Sequence, residues 1–218
     1  SIFDWSYALR ACTKDVMNSK PPNETMTQPL IGRRRFIGWF GAFGASLYIS
    51  GQNAKAAFYS TRAVPGIPQS WVDAKGPDVL RYANYIKGLR LKNITPRMVL
   101  APHFKTRGRT GNSLPPRHMW KNIAPTLRVL DLMSSRMRAP IRELLSIYRS
   151  PRYNAAVRGR SGSIHKQNRA VDVQFSGVSP GNVSALARKL RSAGTFSGGV
   201  GRYSSFTHID TRGYNADW

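Results

Sequence analysis

Hydrophobic spacing changes period several times along this chain, and the changes predict both helices and strands. From Ile123, the positions Leu127, Leu130, Ser134 and Met137 step by three or four, which predicts an amphipathic helix ending near Pro140. Ile141 to Tyr148 follows as a strand. Val171-Asp172-Val173-Gln174-Phe175 alternates, with Val171, Val173 and Phe175 on one face and Asp172 on the other. Ser179-Pro180 marks a helix start, an N-cap followed by proline at the first helical position. Val183, Leu186 and Leu190 give that helix its buried face, and Gly194 stops it. Phe206 to Asp210 reads as a short terminal strand. Two stretches lack a period. Residues 57–80, with turn formers at Pro65, Gly66, Pro68 and Gly76, read as irregular lead-in. Residues 104–118, rich in Gly, Pro and basic side chains, read as a long surface loop. Strands and helices are interspersed without regular alternation, so the expected class is α+β.

The amino-terminal part reads as an address. Arg33, Arg34 and Arg35 precede an uncharged apolar run, residues 36–50. That run falls short of the roughly 20 residues needed to span a bilayer. Ala54-Lys55-Ala56 then supplies the small-x-small pattern of a signal-peptidase site. The string RRRFIG resembles the twin-arginine export signal. The expected organisation is an export signal over 1–56, a lead-in over 57–94 and a single domain over 95–218. The expected location is periplasmic or secreted. An uncleaved membrane anchor or a buried apolar helix is the alternative reading of the same run.

Composition narrows the partners and the metal chemistry. The chain has 218 residues, 41% of them hydrophobic, with 34 Lys+Arg against 10 Asp+Glu and a net charge of +24. Such a surface attracts polyanions: nucleic acid, anionic lipid or an acidic wall polymer. Charge alone does not choose among them, but no recognition helix or RNA-binding motif is visible to favour nucleic acid. Cys12 is the one cysteine, which excludes an intramolecular disulfide and a cysteine zinc cluster. Any metal must therefore be held by histidine and carboxylate. The histidines are His103, His118, His165 and His208.

Two segments gather these donors. SIHKQNRAVD (163–172) carries His165 and Asp172 at the entry to a strand, and FTHID (206–210) carries His208 and Asp210 two apart. On a strand, residues i and i+2 share a face about 6.5–7 Å apart. Two histidines and one carboxylate suffice for a catalytic zinc and leave a position for water, whose pKa the metal lowers towards about 7. Manganese, iron or cobalt suit the same donors. Two histidines on separate strands are also common in ordinary cores and surfaces. His103 is expected to be structural or solvent-facing.

Together with SIYRSPRYN (146–154), these segments resemble the D-Ala-D-Ala metallopeptidase family, which shares its fold with the hedgehog signalling domain. The likeness runs from about Asn93 to Trp218, with the motifs in the family's order, and is nearest to the branch with a terminal His-x-Asp. It implies a small antiparallel sheet with flanking helices. It also implies Zn2+ held by His165, Asp172 and His208, an Arg149 that binds the substrate's carbonyl or carboxylate, and Ser163 beside the first ligand. Three positions depart from the pattern. Ile147 and Asn168 stand where the family has Gly, and Ser205 stands where many relatives have an acid. Asn tolerates left-handed backbone better than most residues. With Ser205 in the acid's place, Asp210 is the nearest substitute for the general base, or else it orients His208.

The resemblance implies hydrolysis of peptide bonds in peptidoglycan stem peptides or cross-links, by an endopeptidase or a carboxypeptidase. Peptidoglycan peptides are then the partner, and anionic envelope polymers a further one. Two other classes stay open from sequence: an envelope or structural protein that keeps the fold without the chemistry, and a basic nucleic-acid-binding protein. A phage-borne lysin is a variation on the first reading.

Overall fold

The computed structural model describes residues 64–218. The expected export signal, residues 1–56, lies outside the described residues. The elements run α1 Gln69–Lys75, α2 Asp78–Gly88, α3 Pro96–Leu100, β1 Thr106–Arg107, β2 Thr110–Gly111, α4 Ala124–Met137, β3 Ile141–Ser146, α5 Pro151–Ala156, β4 Ala170–Phe175, α6 Pro180–Ser192, β5 Gly199–Arg202, β6 Thr207–Asp210 and β7 Ala216–Asp217. Among the described residues six α-helices accompany a five-stranded sheet, so the α+β class holds. Among the described residues no helix is long and apolar enough to cross a membrane.

The sheet has the order β3-β4-β6-β5-β7, antiparallel throughout except for the β5–β7 pair. Its two faces differ in kind. Leu144, Val171, Val173, Phe175, Val200 and Ile209 join one core with Leu127, Leu130 and Met133 of α4 and with Val183 and Ala187 of α6. Each such buried aliphatic contributes about 1.5–3 kcal/mol through removal from water. The opposite face carries one transverse row of paired residues: Ser146 opposite Asp172, Asp172 opposite His208, and His208 opposite Gly201. The strand period of two thus puts the apolar set on helices and leaves the polar row for chemistry.

Local signals start the helices. Thr95, Ser150 and Ser179 each accept a hydrogen bond from the backbone N–H three residues on, and each is followed by proline at the first helical position. This satisfies one orphan donor and pre-sets the first φ. Helix α4 ends at Arg138 in left-handed geometry (φ 51°), followed by Ala139 and Pro140, as the sequence predicts.

Three expectations are revised. The stretch 57–80, read as irregular, contains α1 and the start of α2. Val79, Tyr82, Ala83 and Ile86 of α2 are buried in the core at a helical spacing that the neighbouring turn formers obscured. The loop at 104–118 carries the small β1–β2 hairpin, turned at Gly108 (φ 55°). Finally β6 is not the terminal strand, because β7 follows it and pairs with β5.

Candidate metal centre

Asp172 and His208 reach the site by register, and His165 by a turn. His165 lies in a 3-10 turn, Ile164–Gln167, which ends at Asn168 with φ 55° and ψ 44°. Asparagine is among the few side chains that adopt this geometry readily, so its replacement of the family's glycine keeps the turn. Asn168 Nδ2 also donates to Met119 O at 3.0 Å. The other departure is equally benign. Ile147 has no positive φ and acts through its backbone, accepting a hydrogen bond from His165 Nδ1 at 2.6 Å.

The resulting geometry is compact. His165 Nε2 lies 3.1 Å from Asp172 Oδ1 and 3.2 Å from His208 Nδ1, and His208 Nδ1 lies 2.8 Å from Asp172 Oδ1. All three residues are buried. The far side of each ring fixes its tautomer: His165 Nδ1–H donates to Ile147 O, and His208 Nε2–H donates to Asp210 Oδ2 at 3.0 Å. With a proton on each far-side nitrogen, His165 Nε2 and His208 Nδ1 are the ring nitrogens that face the ionised Asp172 oxygen and are available to a metal. A positive charge among three such groups, a metal ion or a proton on His208, holds them this close. Tetrahedral zinc with bonds of about 2.0–2.1 Å has donor–donor edges of about 3.3–3.4 Å. The donor set and its spacing fit that ion, and the outer hydrogen bonds are the kind that orient ligating histidines.

Electrostatics favour the ligating form at two of the three donors. Burial raises the cost of ionising Asp172, yet hydrogen bonds and charge from His165 and His208 hold its carboxyl well below the usual range. Burial pushes His165 below the ordinary histidine value, which favours the neutral, ligating form. For His208 burial acts the same way, but its hydrogen bonds to Asp172 and Asp210 outweigh it and hold it above that value.

Arg149 lies against the centre. Its Nη2 donates to Asp172 Oδ2 at 2.5 Å and its Nε to Ser146 Oγ at 2.7 Å. Asn112, which sequence reasoning missed, clamps the turn beneath it by donating to Tyr148 O at 2.8 Å and accepting from Ser150 N at 3.0 Å. Nothing in the periodicity of its loop marked Asn112. Ser163 opens the His165 turn without capping it through its side chain.

Asp210 is fully buried and sits on the outer edge of the His208 ring, away from Nδ1. Its oxygens accept from His208 Nε2, Gly199 N, Arg212 N, Arg212 Nε and Arg212 Nη2. That fills the roughly four lone-pair sites a carboxylate has. Any Cβ at Gly199 would run into Asp210 and Arg212, so glycine is required for this approach. Arg212 is the second residue sequence reasoning missed. Its signal was the spacing His208, Asp210, Arg212.

The remaining histidines stand apart. His103 is fully buried beside the rings of Tyr82 and Tyr148, at centroid distances of 5.8 and 6.5 Å, and burial pushes its pKa down to about 3. It is a packing residue, and His118 is exposed.

Residues 103–210 match the family model described as Peptidase M15. The chain belongs to this family of D-Ala-D-Ala metallopeptidase-like zinc peptidases. No curated protein and no solved structure matches it.

Proposed function

We propose that this protein is a zinc-dependent peptidase that hydrolyses peptide bonds in peptidoglycan stem peptides or cross-links after export by the twin-arginine route. The observation that carries the reading is the convergence of His165 Nε2, Asp172 Oδ1 and His208 Nδ1, each backed by an outer hydrogen bond. When bound, zinc supplies a Lewis acid that polarises a carbonyl and acidifies water.

The chain's own residues divide the remaining work. Arg149 spends two of its five N–H groups on Asp172 and Ser146, which leaves donors for a substrate carboxylate or carbonyl. Asp210 is proposed as the group that orients His208, because its lone pairs are taken and it faces the wrong edge of the ring. The base role expected for it has no support in this placement. Glu143 is the better candidate. It pairs with Gln174 on the face that carries Asp172, one cross-strand pair further along, and its half-exposed side chain is held by Lys105 Nζ at 2.8 Å. There Glu143 would take a proton from water and return it to the leaving nitrogen.

Ser205 in the position of the family's acid favours the rival reading, a protein that binds zinc without hydrolysis. Mass spectrometry of muropeptides incubated with the zinc-loaded protein, against a chelated control, separates the two. Zinc-dependent shortened peptides support the peptidase; unchanged muropeptides with full zinc content support the rival. The basic surface suits residence on an anionic envelope.

A further inference from the structure

Among the described residues the exposed large hydrophobic side chains are Tyr203, Tyr214 and Trp218, 42%, 62% and 46% accessible. All three lie at the β5–β7 side of the sheet, and Trp218 borders the metal centre. Its ring centroid is 5.1 Å from that of His208. Several contacts fix this side chain in spite of its exposure. Trp218 Nε1 donates to the Tyr203 hydroxyl at 2.9 Å, Arg202 N donates to Trp218 O at 2.8 Å, and the Arg212 guanidinium lies 5.2 Å from its ring. Gly201, opposite His208, leaves room for the indole, and any Cβ there would run into it. Tyr203 is itself stacked on Phe206 at 4.4 Å. Rings left in water yet held in one geometry mark a surface that meets a ligand.

We propose that Trp218 and Tyr203 form a sugar-stacking platform that receives a hexosamine ring of the glycan to which a stem peptide is attached. The proposal rests on the peptidoglycan reading above and narrows its substrate to glycan-linked peptide. The shape argues for a sugar. An apolar amino-acid side chain is gripped on several sides by a concave pocket, whereas Tyr203 and Trp218 are 42% and 46% accessible, with Phe206 stacked behind the Tyr203 ring. A pyranose has flat C–H faces that lie on aromatic rings and a polar rim that needs hydrogen bonds. On the α6 side of Tyr203 a hollow of about 460 Å³, lined by Tyr203, Arg202, Ser204 and the start of α6, supplies them to a ring seated on Tyr203. Arg202 is its charged lining residue, and its N–H groups suit hydroxyl and acetamido oxygens.

The test uses an N-acetylhexosamine disaccharide without peptide, titrated into 15N-labelled, metal-free protein. The Trp218 indole signal should shift on addition, and Tyr203→Ala should weaken binding at least fivefold while Tyr203→Phe, which keeps the ring, retains it. With the zinc-loaded protein, kcat/KM should favour a glycan-linked stem peptide over the same peptide freed of sugar. That ratio should fall towards one in Tyr203→Ala. A wild-type ratio of one together with an unmoved indole signal overturns the platform and leaves the peptidase reading standing. Sugar binding at Trp218 with hydrolysis of neither substrate supports the platform and overturns the peptidase reading instead.

Discussion

Asp172 on β4 and His208 on β6 are direct partners in an antiparallel ladder, with Asp172 Oδ1 2.8 Å from His208 Nδ1. Two of the three donors are therefore positioned by sheet register, and a slip of one residue in either strand would send that strand's donor to the core face. The third, His165, comes from a short turn, so the centre is only as rigid as that turn. Both facts have measurable consequences.

Zinc should raise the thermal stability of the protein. A ligand bound only by the folded state at a hundred times its Kd adds about 2.7 kcal/mol, which for a domain of this size is roughly 5–10 °C in Tm. Scanning calorimetry with zinc and with chelator checks this, and an unchanged Tm would oppose it.

Asn168 should tolerate glycine and resist β-branched residues. At φ 55° a β-branched side chain is strained, and left-handed backbone costs about 1–2 kcal/mol for a residue that does not favour it. Losing the bond to Met119 O adds about 1 kcal/mol. Urea unfolding should therefore rank Asn168→Gly above Asn168→Val by a clear margin, with weaker zinc binding in the valine variant.

How much of this was legible in the sequence follows from which interactions are local. The Asp172 face of β4, the Ser179-Pro180 start of α6 and the stop at Gly194 are written in neighbouring residues, and each is found where the spacing puts it. The ligand set was legible through motif resemblance, and register explains why residues 36 apart meet. The Asn112 clamp and the Trp218 wall were not legible, because each depends on partners brought together only by the tertiary fold. β5 was hidden for another reason. Gly198, Gly199 and Gly201 look like loop, yet glycine is what lets Asp210, Arg212 and Trp218 approach that strand.

Asp210→Asn and Arg212→Ala should act through the metal. Both disturb the group that aims His208 Nδ1, so zinc affinity should fall about 10–100-fold, read by competition with a chromophoric chelator. Turnover should recover at saturating zinc. A loss of about 10²–10⁴-fold that persists at full zinc occupancy in Asp210→Asn would restore the base role to Asp210. Glu143→Gln should show the converse: full zinc content with that persistent loss.

His103 should make the fold acid-sensitive. Its folded pKa is pushed down to about 3 by burial, against an ordinary value of 6.5, and Lys75 opposes its protonation further. Tyr82 and Tyr148 face it with rings and no charge. Because the unfolded chain takes up the proton first, stability is intact above pH 6.5 and falls as the pH drops from there towards 3. The full loss is on the order of 5 kcal/mol. Urea midpoints of metal-free protein across that range should fall less steeply in His103→Leu than in the native chain; parallel curves would oppose the prediction.

Elemental analysis of the purified protein tests the metal centre most directly. The native chain should hold about one zinc per molecule. His165→Ala and His208→Ala, checked for native fold by circular dichroism, should each lose it. Retention of one zinc in both variants would contradict the assignment of His165, Asp172 and His208 as the metal centre.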